Sequence, residues 1–327
     1  MRWLKPRITI HPGFPKCATS AIQRAFVQEN HRLAHALKVS FLSAGFTRNK
    51  GYPDVTRIMD DPSGYLEALQ RAVFLRRNYF LSSEALFMLD LGVFCQLFKV
   101  DRWAVTTRLP IAQAISNYRY SGWLSGSFES WAQRPVNNFD SIALRQTDKI
   151  MRLKQLPGDL VIVPLEAATH TGIVSLFCER VFDVRPGFMS DLQIDTGRQV
   201  NPSINFALAD ALGRKVMERR LGEIQPQLRR ALVKAAKDFK LANEFSGLNP
   251  ACLRDRVLPF QNEMNDKYRA MLDLSDLGID TDQVLTNANA NLSRFLNGPI
   301  ATTDQQTRLD GYADHILDTG ITNGSAH

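Results

Sequence analysis

The chain has 327 residues, of which 44% are hydrophobic and 22% charged, a balance typical of a folded globular protein rather than a disordered or fibrous one. This length allows one large domain or two small ones. Lysine and arginine number 40 against 33 aspartates and glutamates, and the resulting net charge of +7 favours an anionic partner. Because no block of about five or more like charges occurs, a nucleic-acid-binding arm is disfavoured.

Short runs of strand-forming residues alternate with longer amphipathic stretches in roughly the first half of the chain, which predicts a parallel β-sheet flanked by helices. In chain order, the predicted strands are Arg7–His11, 78–81, 103–107 and 160–163. Helices are predicted at about 19–29, directly behind Pro110 and at 171–181. The fold class is therefore expected to be α/β.

A different pattern begins at Asn201, which is predicted to cap a helix that has Pro202 in its first turn. Apolar residues then recur at every fourth position, at Ile204, Leu208, Leu212 and Val216. Further helices are predicted around 228–241 and 250–271, followed by a polar, partly ordered tail. We therefore expect a single domain over 1–299, with an α/β core at 1–185, a helical region at 186–299 and the tail at 300–327.

The cysteines and the hydropathy of the chain bear on its location. Cys17, Cys95, Cys178 and Cys252 form no CxxC pair, which predicts reduced thiols rather than disulfides or a zinc site. The first residues are too broken by proline and arginine for a signal peptide. No run of about 18 apolar residues occurs, so no transmembrane segment is expected. The predicted location is the cytoplasm.

The segment HPGFPKCATSAIQ, from His11 to Gln23, joins the first strand to the first helix. Backbone N–H groups at such a turn form an anion cradle, which the helix dipole reinforces. Lys16 adds a cation, and the hydroxyls of Thr19 and Ser20 add donors, so phosphate or sulfate oxygens would fit. The segment is not a Walker A loop, because the residues on either side of Lys16 are proline and cysteine.

A second anion-binding pattern follows the third predicted strand. Arg108 stands at the end of that strand, and Ser116 lies eight positions later on the next predicted helix. A guanidinium and a hydroxyl placed in this way can converge on one phosphate. Considered singly, each has an ordinary alternative, a surface ion pair for Arg108 and an exposed helix position for Ser116.

Together the two segments resemble the PAPS-dependent sulfotransferases, in particular their bacterial branch. The first is similar to the family's 5′-phosphosulfate loop, G-x-P-K-x-G-T-[ST], except that Ala18 replaces a glycine, a change that a negative φ would tolerate. The second matches R-x-P-x5-S, which holds the 3′-phosphate in that family. Similarity extends to Glu166 after the fourth strand. The resemblance implies a P-loop-like sulfotransferase fold, PAPS as donor, no metal requirement, and these nucleotide-binding residues: Pro15, Lys16, Cys17, Ala18, Thr19, Ser20, Arg108 and Ser116.

Sulfuryl transfer needs a cation for the leaving oxygen and a base for the acceptor. Lys16 is the expected cation. Glu84, which follows the second predicted strand, is the favoured base, because family members carry a Glu or His near this strand end; the alternative is that Glu84 only caps the next helix. His11 is the second candidate base.

The predicted function is sulfuryl transfer from PAPS, leaving PAP, to a hydroxyl or amine of a carbohydrate, lipid or small metabolite. The alternatives are a small-molecule P-loop kinase and a non-catalytic nucleotide- or polyanion-binding protein. The acceptor is expected to be chosen by loops at 45–64 and 121–138 and by the region after Ile194. Aromatic residues there, or on the helix behind Arg108, are candidates for stacking on acceptor or adenine: Phe46, Tyr52, Tyr65, Tyr118, Tyr120, Trp123, Phe128 and Trp131.

Overall fold

The computed structural model describes residues 5–42, 61–72, 77–135, 137–168, 172–192, 204–221 and 224–325. Five strands in these ranges form one sheet in which every neighbouring pair is parallel. They are β1 (Arg7–His11), β2 (Ser40–Phe41), β3 (Asn78–Ser82), β4 (Lys99–Thr107) and β5 (Asp159–Pro164), in the spatial order β2-β3-β1-β4-β5. The chain is thus an α/β protein, as the alternating pattern predicts.

Helices make up most of the rest of the described chain. They are α1 (Thr19–Gln28), α2 (Asn30–Leu37), α3 (Pro62–Ala72), α4 (Gly92–Leu97), α5 (Pro110–Ser121), α6 (Phe128–Ala132), α7 (Phe139–Lys154), α8 (Gly172–Phe182), α9 (Phe188–Asp191), α10 (Phe206–Glu218), α11 (Pro226–Asp238), α12 (Leu253–Val257), α13 (Gln261–Leu272), α14 (Thr281–Leu296) and α15 (Thr303–Ser325). Among these described helices, none has the length and apolar character needed to cross a membrane.

The chain divides into two compact units, each built from three separate segments. The first consists of Met1–Arg108, Leu144–Val200 and Lys267–Asn287 and contains the whole sheet. Its core lies between the sheet and helices α1 and α8, where the ring of Phe80 on β3 packs against Phe26 at 4.5 Å and Phe177 at 5.7 Å between centroids. Strands covered in this way read as near-continuous apolar runs, which explains why the sequence reveals β1, β3, β4 and β5.

The order of the strands places a switch point next to β1. From β1 the chain proceeds to β2 and β3 on one side, and then crosses to β4 and β5 on the other. In open parallel sheets, ligands bind beside the carboxyl ends of the strands where the order reverses in this way. The loops after β1, β3, β4 and β5 all leave the sheet at that edge because the strands are parallel.

The second unit consists of Leu109–Ala143, Asn201–Asp266 and Ala288–His327 and is helical. Its core includes Tyr118, Phe128 and Phe206, with ring centroids between 5.0 and 5.8 Å apart. Helices α10 and α15 are also joined by ion pairs between their facing sides. The pairs are Arg214–Asp310, Lys215–Asp314, Arg219–Asp314 and Arg219–Asp318.

The later part of the chain differs from the sequence prediction in three respects. Asn201 and Pro202 lie outside the described residues; the cap of α10 is Asn205, whose side chain accepts a hydrogen bond from the Leu208 N–H at 3.0 Å. Most of the predicted polar tail, Thr303–Ser325, is helix α15, which buries apolar side chains such as Leu309 and Leu317. The predicted division near residue 185 is sequential, whereas each observed unit draws on three segments.

Candidate functional site

The loop between β1 and α1 has an unusual backbone. Lys16 and Ala18 both adopt positive φ, at 62° and 63°. Ala18 is also the residue that precedes α1, and its side chain caps none of the first N–H groups of the helix. Such alternation of left-handed and other conformations turns successive N–H groups into an anion-binding concavity. The negative φ that would tolerate alanine at position 18 is not observed, so its methyl group is accommodated at a cost.

Internal contacts hold this loop in shape. The Cys17 N–H donates to the Phe14 carbonyl at 3.3 Å, and the Thr19 hydroxyl donates to the same oxygen at 3.3 Å. A Cβ on Gly13 would lie 2.0 Å from the Thr19 Oγ1, so only glycine allows this approach. The hydroxyl of Thr19 therefore braces the loop, and its predicted contact with a nucleotide stays a prediction. Ser20 is half-buried, and no hydrogen bond of its hydroxyl is found within the described ranges.

Several charges surround the buried Cys17 thiol. Burial raises its pKa well above the usual range; the charge of Arg108 lowers it, and those of Glu166 and Glu84 raise it. The thiol therefore stays protonated at neutral pH. Arg108, Glu166 and Glu84 are therefore all close enough to the Cys17 thiol for their charges to influence its pKa.

Glu84 follows β3 at the same edge of the sheet. It opens the short 3-10 helix Glu84–Met88, which is capped by Ser83 because the Ala85 N–H donates to the Ser83 Oγ at 3.2 Å. Glu84 is exposed to solvent on one side, but the protein packed around its carboxyl raises its pKa, and the charge of Lys16 opposes this rise. Capping is thus performed by Ser83, which leaves the carboxylate of Glu84 available beside Lys16.

His11 lies beneath the loop, fully buried at the end of β1. Its Nδ1 is 2.9 Å from the Ser82 Oγ and its Nε2 is 3.2 Å from the Thr106 Oγ1. Burial lowers the imidazole pKa to about 3, so the ring is neutral at physiological pH. With both ring nitrogens engaged by hydroxyls, this geometry favours a role for His11 in supporting the sheet edge over the predicted role as a base.

The polar layer around His11 extends into α1. The side-chain amide of Gln23 donates to the Ser82 carbonyl at 3.0 Å and lies 3.3 Å from the Ser82 Oγ. The Ser83 N–H donates to the His11 carbonyl at 3.1 Å. Because buried polar groups are costly unless they are paired, this network joins β1, β3, β4 and α1 rigidly under the loop.

Glu166, after β5, is buried and accepts a hydrogen bond from the Tyr268 hydroxyl at 2.8 Å. That hydroxyl also lies 3.3 Å from the Thr107 Oγ1 at the end of β4. Burial, and then the charge of Glu166, raise the Tyr268 pKa, so the hydroxyl keeps its proton. Sequence reasoning missed Tyr268, because no local pattern connects it to a strand end 102 positions earlier.

A further cation beside the loop also escaped the sequence analysis. Lys149 places its Nζ 4.7 Å from the ring centroid of Phe87 and 5.9 Å from that of Phe14, two rings stacked at 5.1 Å. Its pKa is lowered by burial and by the neighbouring charges of Arg145 and Arg152. Its position four residues after Arg145 on α7 is ordinary helical spacing and gives no signal of this contact.

Arg108 is half-buried at the end of β4, and within the described ranges its guanidinium makes no hydrogen bond or ion pair. Ser116 is half-buried on α5. Arg108 belongs to the first unit and Ser116 to the second, so their joint contact with one phosphate stays a prediction.

Most of the aromatic residues proposed for stacking serve another purpose. Tyr118, Trp123, Phe128 and Trp131 are buried in the second unit, and Tyr65 is buried in the first. The Tyr118 hydroxyl donates to the carbonyls of Gly126 and Ala209 at 3.0 and 3.3 Å, as expected of a core tyrosine. Tyr120 is half-buried with the Lys237 Nζ 4.1 Å from its ring centroid. Phe46 and Tyr52 lie outside the described residues.

Comparison with known proteins leaves the site to be interpreted from its own chemistry. No protein-family model, curated protein or solved structure matches this chain.

Proposed function

We propose that the protein is a PAPS-dependent sulfotransferase with a P-loop-like sulfotransferase fold. The observation that carries the proposal is that Lys16, at positive φ in the loop after β1, lies close enough to Glu84, after the adjacent β3, for its charge to act on the Glu84 carboxyl group. A cation for the leaving oxygen and a base for the acceptor are the two groups that sulfuryl transfer requires. The resemblance of both anion-binding motifs to this family supports the same assignment.

The residues present fit a nucleotide that carries two anionic ends. The first N–H groups of α1 have no side-chain cap, and the guanidinium of Arg108 has no partner within the described ranges. The loop residues Pro15 to Ser20 would hold the phosphosulfate end, and Arg108 with Ser116 would hold the 3′-phosphate. When bound, PAPS supplies the sulfuryl group.

The side chains around the loop then have distinct tasks. The Lys16 ammonium neutralises negative charge that develops on the leaving oxygen. The Glu84 carboxylate accepts the proton of the acceptor hydroxyl or amine, and a raised pKa makes it a stronger base. His11, held between Ser82 and Thr106, keeps the ends of β1, β3 and β4 in register. The Glu166–Tyr268 pair fixes the neighbouring end of β5.

A cytoplasmic location and an acceptor among carbohydrates, lipids or small metabolites are part of this proposal. All four cysteines are free thiols, as expected in a reducing compartment. The acceptor is to be found by a screen with radiolabelled PAPS.

Calorimetric titration with PAP and with AMP tests the donor assignment. We expect PAP to bind at least about tenfold more tightly than AMP, because a paired phosphate contact contributes about 1.4 kcal/mol or more. Arg108→Ala should remove that preference, whereas Lys99→Ala, at the opposite end of the same strand, should retain it. Equal affinity for PAP and AMP in the native protein would refute the proposal.

Transfer from radiolabelled PAPS tests the chemistry. Lys16→Ala and Glu84→Gln should each lower turnover by about a hundredfold or more while PAP still binds to the Glu84 variant. Glu67→Gln, an exposed position on α3, is the matched control and should keep full activity. PAP binding without transfer to any acceptor would instead indicate a nucleotide-binding protein, and magnesium-dependent transfer from ATP would indicate a kinase.

A further inference from the structure

The second unit contains a cavity of about 720 Å³ where α10 ends and α11 begins, here called the arginine cavity. Its described lining combines apolar side chains with three arginines. The lining residues are Leu124, Ser125, Arg134, Val216, Met217, Arg220, Leu221, Ile224, Gln225, Pro226 and Arg229. All of them belong to the second unit, and none belongs to the loop that follows β1.

The charge of this lining is one-sided. Arg134, Arg220 and Arg229 contribute three positive charges, and the lining residues that the structure describes include no aspartate or glutamate. Elsewhere in the same unit the basic residues of α10 are matched by carboxylates, as Arg214 is by Asp310 and Arg219 by Asp318. The arginines of the cavity have no ion-pair partner within the described ranges, so the described part of the lining presents positive charge to an anion.

Two of the three guanidiniums are held in place by neutral oxygens. Arg134 donates to the Ser125 carbonyl, and Arg229 donates to the Ser121 Oγ at 3.3 Å. A guanidinium has five N–H donors, so each retains several for a ligand. These guanidiniums are held by neutral oxygens and keep their positive charge, which suits the recognition of phosphate or sulfate.

Arg220 occupies a backbone position that normally favours glycine. Its φ is 49°, and it is the second residue after α10, where the Leu221 N–H closes the helix by donating to the Val216 carbonyl at 3.2 Å. This is the C-terminal helix motif in which glycine is usual, because a side chain at positive φ costs about 1 kcal/mol. A strained arginine that lines a cavity points to a function that outweighs the cost.

The remaining wall is apolar. Leu124 and Val216 are buried behind it, while the Met217 side chain is 51% exposed and therefore accessible to a ligand. A ligand that satisfied the whole cavity would present an apolar body to this wall and an anionic group to the arginines.

From these observations we infer that the arginine cavity binds a small organic anion, a phosphate or sulfate ester with an apolar body. The apolar wall holds the body of the ester, and Arg134, Arg220 and Arg229 hold its oxygens. The inference does not depend on the proposed transferase activity, because it rests only on residues of the second unit.

Titration of the full-length protein with phenyl phosphate tests this inference, by calorimetry or ligand-observed NMR. We expect saturable binding, with inorganic phosphate and benzyl alcohol each at least about tenfold weaker because each lacks one half of the ligand. Arg134→Gln and Arg229→Gln should each weaken binding about tenfold, as loss of a charged hydrogen bond does. Arg254→Gln, an exposed arginine of the same unit outside the cavity, should leave it unchanged.

The variant Arg220→Gly distinguishes a loss of ligand binding from a loss of folding stability. It should weaken phenyl phosphate binding about tenfold and yet raise the thermal midpoint, because glycine relieves the positive φ. Lys16→Ala should leave binding unchanged. Three results would each overturn the inference. The first is that the native protein fails to bind phenyl phosphate, the second that none of the three arginine changes alters the binding, and the third that Lys16→Ala abolishes it.

Discussion

The positive charge of Lys16 acts directly on the carboxyl group of Glu84, lowering a pKa that the surrounding protein raises. The two residues lie 68 positions apart in the sequence and come together only because β1 and β3 are parallel neighbours, so that the segments following them leave the same edge of the sheet. Because the charge of Lys16 influences the Glu84 pKa, the proximity of the two residues can be tested without any substrate.

We predict that Lys16→Gln raises the Glu84 pKa above its value in the native protein. Without the ammonium, burial remains the main influence and favours the protonated carboxyl. The measurement is a carboxyl-carbon NMR titration of both proteins. Lys99→Gln, at the amino end of β4, is the control and should leave this titration unchanged. If Glu84 titrates identically in the native protein and in Lys16→Gln, the charge of Lys16 does not reach the Glu84 carboxyl group. That result would remove the main support for the proposed chemistry.

The left-handed backbone at Ala18 makes a second prediction possible. Ala18→Gly should raise the free energy of unfolding by about 1 kcal/mol, because glycine adopts a φ of 63° without the clash of a Cβ. Ala21→Gly, inside α1, is the matched control and should lower the same quantity by up to about 1 kcal/mol. Urea denaturation measures both. If both changes destabilise the protein, position 18 is not strained by its alanine.

The pair formed by Tyr268 and Glu166 gives a third prediction. Tyr268→Phe removes the donor to a buried carboxylate and should lower the free energy of unfolding by about 1–3 kcal/mol. A double-mutant cycle with Glu166→Met, which removes the acceptor, isolates the interaction, and we expect a coupling energy of about 1 kcal/mol or more. Additive effects of the two changes would mean that the hydrogen bond contributes nothing measurable to folding.

The sequence is a good guide to elements whose local pattern agrees with their environment. The apolar run of β5 and the proline-bounded start of α5 are examples. The positions of Lys16, Glu84 and Arg108 likewise follow from the predicted strands β1, β3 and β4. Helix α15 escapes prediction because its glycines weaken the local helical signal. Gly320 is instead favoured by packing, since a Cβ there would lie 2.6 Å from the Leu232 Cδ2 and 3.0 Å from the Leu232 Cα of α11. Tyr268 is not predicted for a similar reason. Its hydrogen bond to Glu166 forms only when the chain is folded, so no local sequence pattern indicates it.

The buried imidazole of His11 predicts how stability depends on pH. Its pKa is about 3 in the folded protein and near 6.5 when unfolded, so below pH 6.5 the unfolded chain binds a proton that the folded chain does not. Its contribution is therefore fully present above pH 6.5 and is lost on acidification at up to about 1.4 kcal/mol per pH unit until about pH 3. We expect the difference in unfolding free energy between the native protein and His11→Gln to shrink at that rate. Thr106→Val, which keeps the imidazole, should retain the native slope; a difference that stays constant with pH would contradict the assignment of a neutral, buried His11.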